Sequence, residues 1–132
     1  MSDQTVFEAV GGQAFFDRLV DAFYERVEHD EVLRPLYPDD LEPGKHALAL
    51  FLGQYWGGPP AYSAVKGHPR LRMRHAPFVI GPAERDAWLT AMFAALTDAA
   101  PPPEIETAMR DYFEMAATHM INSVPPGATM GS

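Results

Sequence analysis

The 132-residue chain has no cysteine. That single absence removes a disulfide framework, a thiolate zinc site, an iron–sulfur cluster, a thiol nucleophile and a covalently attached c-type haem. Apolar runs are short, well below the roughly 20 residues that span a bilayer, so no integral membrane segment is expected. The start, Met1-Ser2-Asp3-Gln4, lacks the basic residues and apolar stretch of a signal peptide, and the expected location is cytoplasmic. Positive charge is scarce. Ten Lys and Arg face eighteen Asp and Glu, and the net charge of −8 repels phosphate backbones and anionic membranes, so no nucleic acid partner is expected. The P-loop lysine motif, the nucleophile-elbow serine, the His-Glu-x-x-His pair and the EF-hand loop are missing as well.

What the chain does have is punctuation. Breaks fall at Gly11-Gly12, Pro35 to Pro43, Gly57-Gly58-Pro59-Pro60, Gly67-His68-Pro69, Gly81-Pro82, Pro101-Pro102-Pro103 and Pro125-Pro126-Gly127. Between them apolar residues recur at spacings of three and four, the helical period. Phe15, Phe16, Leu19, Val20, Phe23 and Val27 predict a helix over 13–28, with Tyr24 on the side of Phe16 and Val20. A short helical turn is expected at 31–36, ending before Pro38. Leu48, Phe51, Leu52 and Tyr55 give the buried stripe of a second helix over 44–55. A third opens at Pro82, with Glu84 and Asp86 at its positive end and Arg85, Trp88, Leu89, Met92, Phe93 and Leu96 along one stripe. A fourth begins near Pro103 and carries Ile105, Met109, Tyr112, Phe113, Ala116 and Met120. Four long helices in one domain of this length predict an all-α fold, with 1–123 as the domain and 124–132 as a disordered tail.

The stretch 57–81 fits a plain helical bundle poorly. It is long and weakly helical, yet it holds Tyr62, His68, Met73, His75 and Phe78, and such a segment in a small domain usually serves function. Residues 66–75 also gather Lys66, Arg70, Arg72 and Arg74 with no acidic residue. His75, closed off by Pro77, is the candidate metal ligand, because a neutral imidazole is a good axial ligand for haem iron. On composition alone it reads more readily as a surface histidine in a basic patch. Tyr24, Tyr37 and Trp88 are candidate hydrogen-bond donors inside an apolar interior, or core aromatics whose polar tips reach water. Arg72, Lys66 and His68 can pair with carboxylates of a bound group, or form a solvated basic face.

Three stretches agree in type, order and spacing with a known family. They are Gln54-Tyr55-Trp56-Gly57-Gly58-Pro59, Gly67-His68-Pro69-Arg70-Leu71-Arg72-Met73-Arg74-His75-Ala76-Pro77-Phe78 and Glu84-Arg85-Asp86-Ala87-Trp88-Leu89. Phe7-Glu8-Ala9-Val10-Gly11-Gly12, Phe23-Tyr24 and Val32-Leu33-Arg34-Pro35-Leu36-Tyr37-Pro38 add to them. Over roughly residues 6–123 the sequence resembles the group II truncated haemoglobins. The resemblance implies a truncated globin fold, a two-over-two helical sandwich around haem b. It implies His75 as proximal ligand and Tyr24, Tyr37 and Trp88 on the distal side, around bound ligand. Gly44 falls where many globins carry a distal histidine, and Leu48 forms the apolar wall above the iron. Phe51, Leu52, Tyr55, Tyr62, Met73, Phe78 and Met92 are implied pocket neighbours. Two positions depart from the family pattern. Ala47 stands where relatives often carry a basic residue, which leaves propionate anchoring to Tyr55, Tyr62, His68 or Arg72. Gly44 replaces a common alanine.

The implied function is reversible, high-affinity binding of dioxygen, and of carbon monoxide or nitric oxide, at ferrous haem. The alternative is a haem enzyme, a nitric oxide dioxygenase or a peroxidase acting on peroxide, fed by a separate reductase. A cofactor-free helical interaction module is the third reading. A homodimer is compatible with the family resemblance.

Overall fold

The computed structural model describes residues 4–60 and 81–119, and every regular element among them is helical. The expected tail at 124–132 lies outside the described residues.

A short first helix, α1 (Val6–Ala9), precedes those expected. Its start is a reciprocal cap: the Glu8 amide donates to the Thr5 hydroxyl at 3.1 Å, and the Thr5 amide donates to the Glu8 carboxylate at 3.0 Å. Gly11 and Gly12, at φ of 102° and 83°, then turn the chain into α2 (Gln13–His29). Phe15, Phe16, Leu19, Val20, Phe23, Tyr24 and Val27 form the buried face of α2, as their spacing predicts.

The turn after α2 is built by two side chains. The Asp30 carboxylate accepts the Val32 and Leu33 amides, and a 3₁₀ turn follows at Arg34–Leu36 with Pro35 inside it. Helix α3 (Glu42–Tyr55) starts two residues earlier than its apolar pattern suggests, because Pro43 sits in the first turn, where no amide hydrogen is required. Ala49, Phe51, Leu52 and Gly53 are its buried residues, and Leu48 is half-buried. Tyr55 departs from its expected place in the buried stripe. It is 50% exposed, with its ring laid on Tyr112 at a centroid distance of 4.2 Å.

Helix α4 (Pro82–Ala99) opens on proline, and the Glu84 carboxylate accepts the Gly81 amide at 2.8 Å. Leu89, Ala91, Met92, Ala95 and Leu96 are buried, so α4 is covered on more than one side. Helix α5 (Pro103–His119) buries Met109, Phe113 and Ala117, while Ala116, expected in the stripe, is half-buried.

Helix α2 is the centre of the packing. It lies against both α3 and α4, and α4 lies against α5, whereas α3 makes no comparably extensive contact with α4 or α5 among the described residues. The result is one helix pair, α2 with α3, set over a second, α4 with α5. Phe16, Phe23, Leu52, Met92, Leu96, Met109 and Phe113 are completely enclosed, each contributing roughly 1.5–3 kcal/mol through burial. Polar pins sit at the edges. Gln13 Nε2 donates to the Ala49 carbonyl at 2.8 Å, joining α2 to α3, and Arg26 pairs with Asp98 at 2.8 Å, joining α2 to α4. Among the described residues no helix is long and apolar enough to cross a membrane.

Candidate functional site

No charged side chain is buried among the described residues, so the polarity of the interior is carried by aromatic hydroxyls and indoles. Three of these meet. Tyr24 comes from the middle of α2, Trp88 from the second turn of α4, and Tyr37 from the residue that follows the 3₁₀ turn. Tyr24 and Tyr37 stand edge to face, with centroids 5.5 Å apart. Phe23 bridges the group, 5.4 Å from Tyr24 and 5.4 Å from Trp88, and Trp88 leans on Phe113 at 5.9 Å. The Trp88 indole N–H faces the Tyr37 hydroxyl.

The acidities reflect the surroundings. Burial pushes the Tyr24 hydroxyl up to about 12. Tyr37 is half-buried as a residue, yet its hydroxyl lies deep enough that burial raises its pKa strongly. The neighbouring Tyr24 adds to the rise, and the Trp88 N–H opposes it. Both phenols are therefore neutral donors at physiological pH.

Tyr37 lies outside any long helix and is held from behind. The Arg34 guanidinium donates to the carbonyls of Tyr37 (3.2 Å), Pro38 (3.0 Å) and Asp39 (3.1 Å). Five donors in one plane suit this job, since they clamp three successive carbonyls with a single side chain. Sequence reading assigned no role to Arg34. The available signal was an arginine three residues before an aromatic in a proline-rich turn.

The structure thus brings together Tyr24, Tyr37 and Trp88, the three expected donors, and sets Gly44 beside Tyr24. Leu48, Phe51, Leu52 and Met92 belong to the apolar packing of α3 and α4. Tyr55 lies in an outer aromatic group with Phe51, Trp56 and Tyr112. Tyr62, His68, Arg72, Met73, His75 and Phe78 lie outside the described residues. The histidines that are described, His29, His46 and His119, are all exposed, and no group of three or more His, Asp or Glu among the described residues could hold a metal ion.

Comparison with known proteins adds a second line. The family model for bacterial-like globins matches residues 5–122. The group 2 truncated hemoglobin YjbI of Bacillus subtilis (strain 168) is 41% identical over 116 residues, which are 88% of this chain and 87% of that protein. A crystal structure of hemoglobin from the thermophilic phototrophic bacterium Chloroflexus aurantiacus superposes with a TM-score of 0.90 at 57% identity, covering 92% of this chain and all of that one. A truncated oxygen-avid haemoglobin from Bacillus subtilis gives 0.85 at 40% identity, covering 90% and 100%.

Proposed function

The chain belongs to the bacterial-like globin family and, within it, to the group II truncated haemoglobins, and from that premise we propose that it binds dioxygen reversibly and tightly at ferrous haem b. One observation carries the reading: Tyr24, Tyr37 and Trp88 converge from three separate elements onto one apolar neighbourhood as neutral hydrogen-bond donors. The family implies haem, and this donor set suits it. A polarised diatomic ligand needs donors close by, no competing carboxylate and little water.

When bound, haem supplies an iron that accepts a diatomic ligand on one face. His75 is its protein ligand in this reading, with Leu48, Phe51, Leu52 and Met92 among the apolar neighbours and Tyr62, His68 and Arg72 towards the propionates. The chain's own contribution is positioning. Each donor aimed at a partly negative ligand contributes on the order of 1–3 kcal/mol in a dry pocket. Since about 1.4 kcal/mol is tenfold in rate, two or three donors slow release by orders of magnitude. A relative described as oxygen-avid is in keeping with this.

Slow release suits redox use of the bound oxygen better than delivery. The finer proposal is therefore oxidation of nitric oxide to nitrate or reduction of peroxide in the cytoplasm, with electrons from a separate reductase. The test of the main reading is spectroscopic. Purified protein should show a Soret band that shifts on reduction and again with carbon monoxide, and His75→Ala should lose most of that band. A folded, colourless protein that ignores added haemin would end the proposal.

A further inference from the structure

Among the described tyrosines two pairs are in ring contact, and they differ in kind. Tyr24 and Tyr37 meet edge to face, with centroids 5.5 Å apart and planes at 77°, and Tyr24 is only 6% exposed. Tyr55 and Tyr112 lie closer to face to face, with centroids 4.2 Å apart and planes at 32°, and Tyr55 is 50% exposed. That spacing is below the roughly 4.5–7 Å usual for aromatic pairs. The second pair therefore combines what the first lacks: near-parallel rings in contact and an open side to solvent.

Its surroundings hold one ring and free the other. Tyr112 lies in α5, half-buried, with Phe113 at 5.4 Å on one side. Trp56 presses edge-on against both tyrosines, at 5.2 Å from Tyr55 and 5.6 Å from Tyr112. Tyr55 is the last residue of α3, so its ring can turn against Tyr112 without disturbing a following turn of helix. The hydroxyls feel each other as well, since charge on Tyr55 raises the pKa of Tyr112. An exposed phenol yields an electron readily to a radical oxidant, and the unpaired spin then spreads to the ring carbons beside the oxygen. Two such radicals held in contact couple before either meets another partner, because proximity makes the step unimolecular.

We propose that Tyr55 and Tyr112 form an oxidative modification site, at which one-electron oxidants join α3 to α5 through a dityrosine bond. Each phenol gives up one electron and one proton. With carbonate radical anion as oxidant, two equivalents take these up and leave as two bicarbonate ions. The new bond joins a ring carbon beside each hydroxyl, and the hydrogens on those carbons move to the oxygens to restore both phenols. The product is the same chain less two hydrogens. Helices α3 and α5 have no extensive contact of their own among the described residues, so the bond would tie together two elements that packing leaves apart. The site goes beyond the oxygen-binding reading and does not depend on it.

The test exposes the full-length purified protein to carbonate radical anion generated by radiolysis in bicarbonate. The expected product is monomeric, two hydrogens lighter, and fluorescent as dityrosine, and on digestion the peptides holding residues 55 and 112 are joined. Closing that long stretch of chain raises the unfolding midpoint by about 10 °C. Y55F and Y112F, which keep both rings, each abolish the link and the added stability. A link that persists in either variant overturns the proposal. Mapping of the unaltered protein decides the matter even where a variant misfolds. Chains joined to one another, a link confined to Tyr24 and Tyr37, or oxidised tyrosines without any link would each overturn it.

Discussion

Trp88 carries one N–H and a large ring, and phenylalanine in its place separates the two. The ring holds Phe23 at 5.4 Å and Phe113 at 5.9 Å, contacts that Trp88→Phe keeps in large part. The N–H, which faces the Tyr37 hydroxyl in this structure and is the proposed donor to a bound ligand, is lost outright. Tyr37 is then a deep phenol with one partner fewer, which lowers stability by about 1 kcal/mol. The variant should retain haem while releasing oxygen about tenfold faster, since one donor to the ligand is worth on the order of 1.4 kcal/mol in the barrier. Stopped-flow release and a haem titration together check this. An unchanged release rate would remove Trp88 from the role given to it, and loss of haem would mean that bulk, not the donor, is what position 88 supplies.

At the scale of elements, the least regular one controls the site. Tyr37 owes its place to the 3₁₀ turn and to the Arg34 fork across three carbonyls. A lysine has the charge but only one nitrogen, and it cannot clamp them together. Arg34→Lys and Arg34→Ala should therefore cost similar amounts, about 1–2 kcal/mol, and both should speed oxygen release by loosening Tyr37. Denaturant titration beside stopped-flow measures the pair, and a fully native Arg34→Lys protein would rule out the fork. The long helices were legible in the sequence because prolines and glycines bound them and because burial leaves a period of three to four. Helix α1 was not anticipated: Thr5 and Glu8 carry an N-terminal capping signature, but four residues are too few to show a helical period. Tyr55 was misplaced because periodicity reports which side of α3 is apolar and not where α5 ends its cover; Tyr112 takes one face of the ring and leaves half of the residue to water. The meeting of Tyr24, Tyr37 and Trp88 has no periodic signal, since it depends on how α2 crosses α3 and α4. Only the family resemblance of the motifs anticipated it. Likewise, the glycine at 44 was visible as a departure, but the closeness of the Tyr24 hydroxyl was not.

For the molecule as a whole, the same buried phenols set a limit on the alkaline side. Tyr24, Tyr37 and Tyr112 all hold their protons to higher pH than a free phenol, chiefly through burial, with Tyr55 adding to the effect at Tyr112. An unfolded chain releases these protons near the ordinary tyrosine value of about 10. Below that pH both states are protonated and the stabilisation is fully present. Above it the unfolded state binds fewer protons than the folded one, so stability falls as pH rises. Three such groups give a slope approaching 4 kcal/mol per pH unit once all are ionised in the unfolded chain. A domain of ordinary stability, roughly 5–15 kcal/mol, cannot sustain that for long, and cooperative unfolding is expected within a few pH units above 10. Tyr24 regains the unfolded state's titration at about 12, so its share is confined to the window between about 10 and about 12. Denaturant titrations from pH 8 to pH 12 should show a level stability up to about pH 10 and a steep decline beyond it. Tyr24→Phe should make the decline shallower by about one proton's worth in that window. A slope identical in the variant would mean that the Tyr24 hydroxyl is freely hydrated in the folded protein, which is incompatible with its standing as an enclosed donor beside Tyr37.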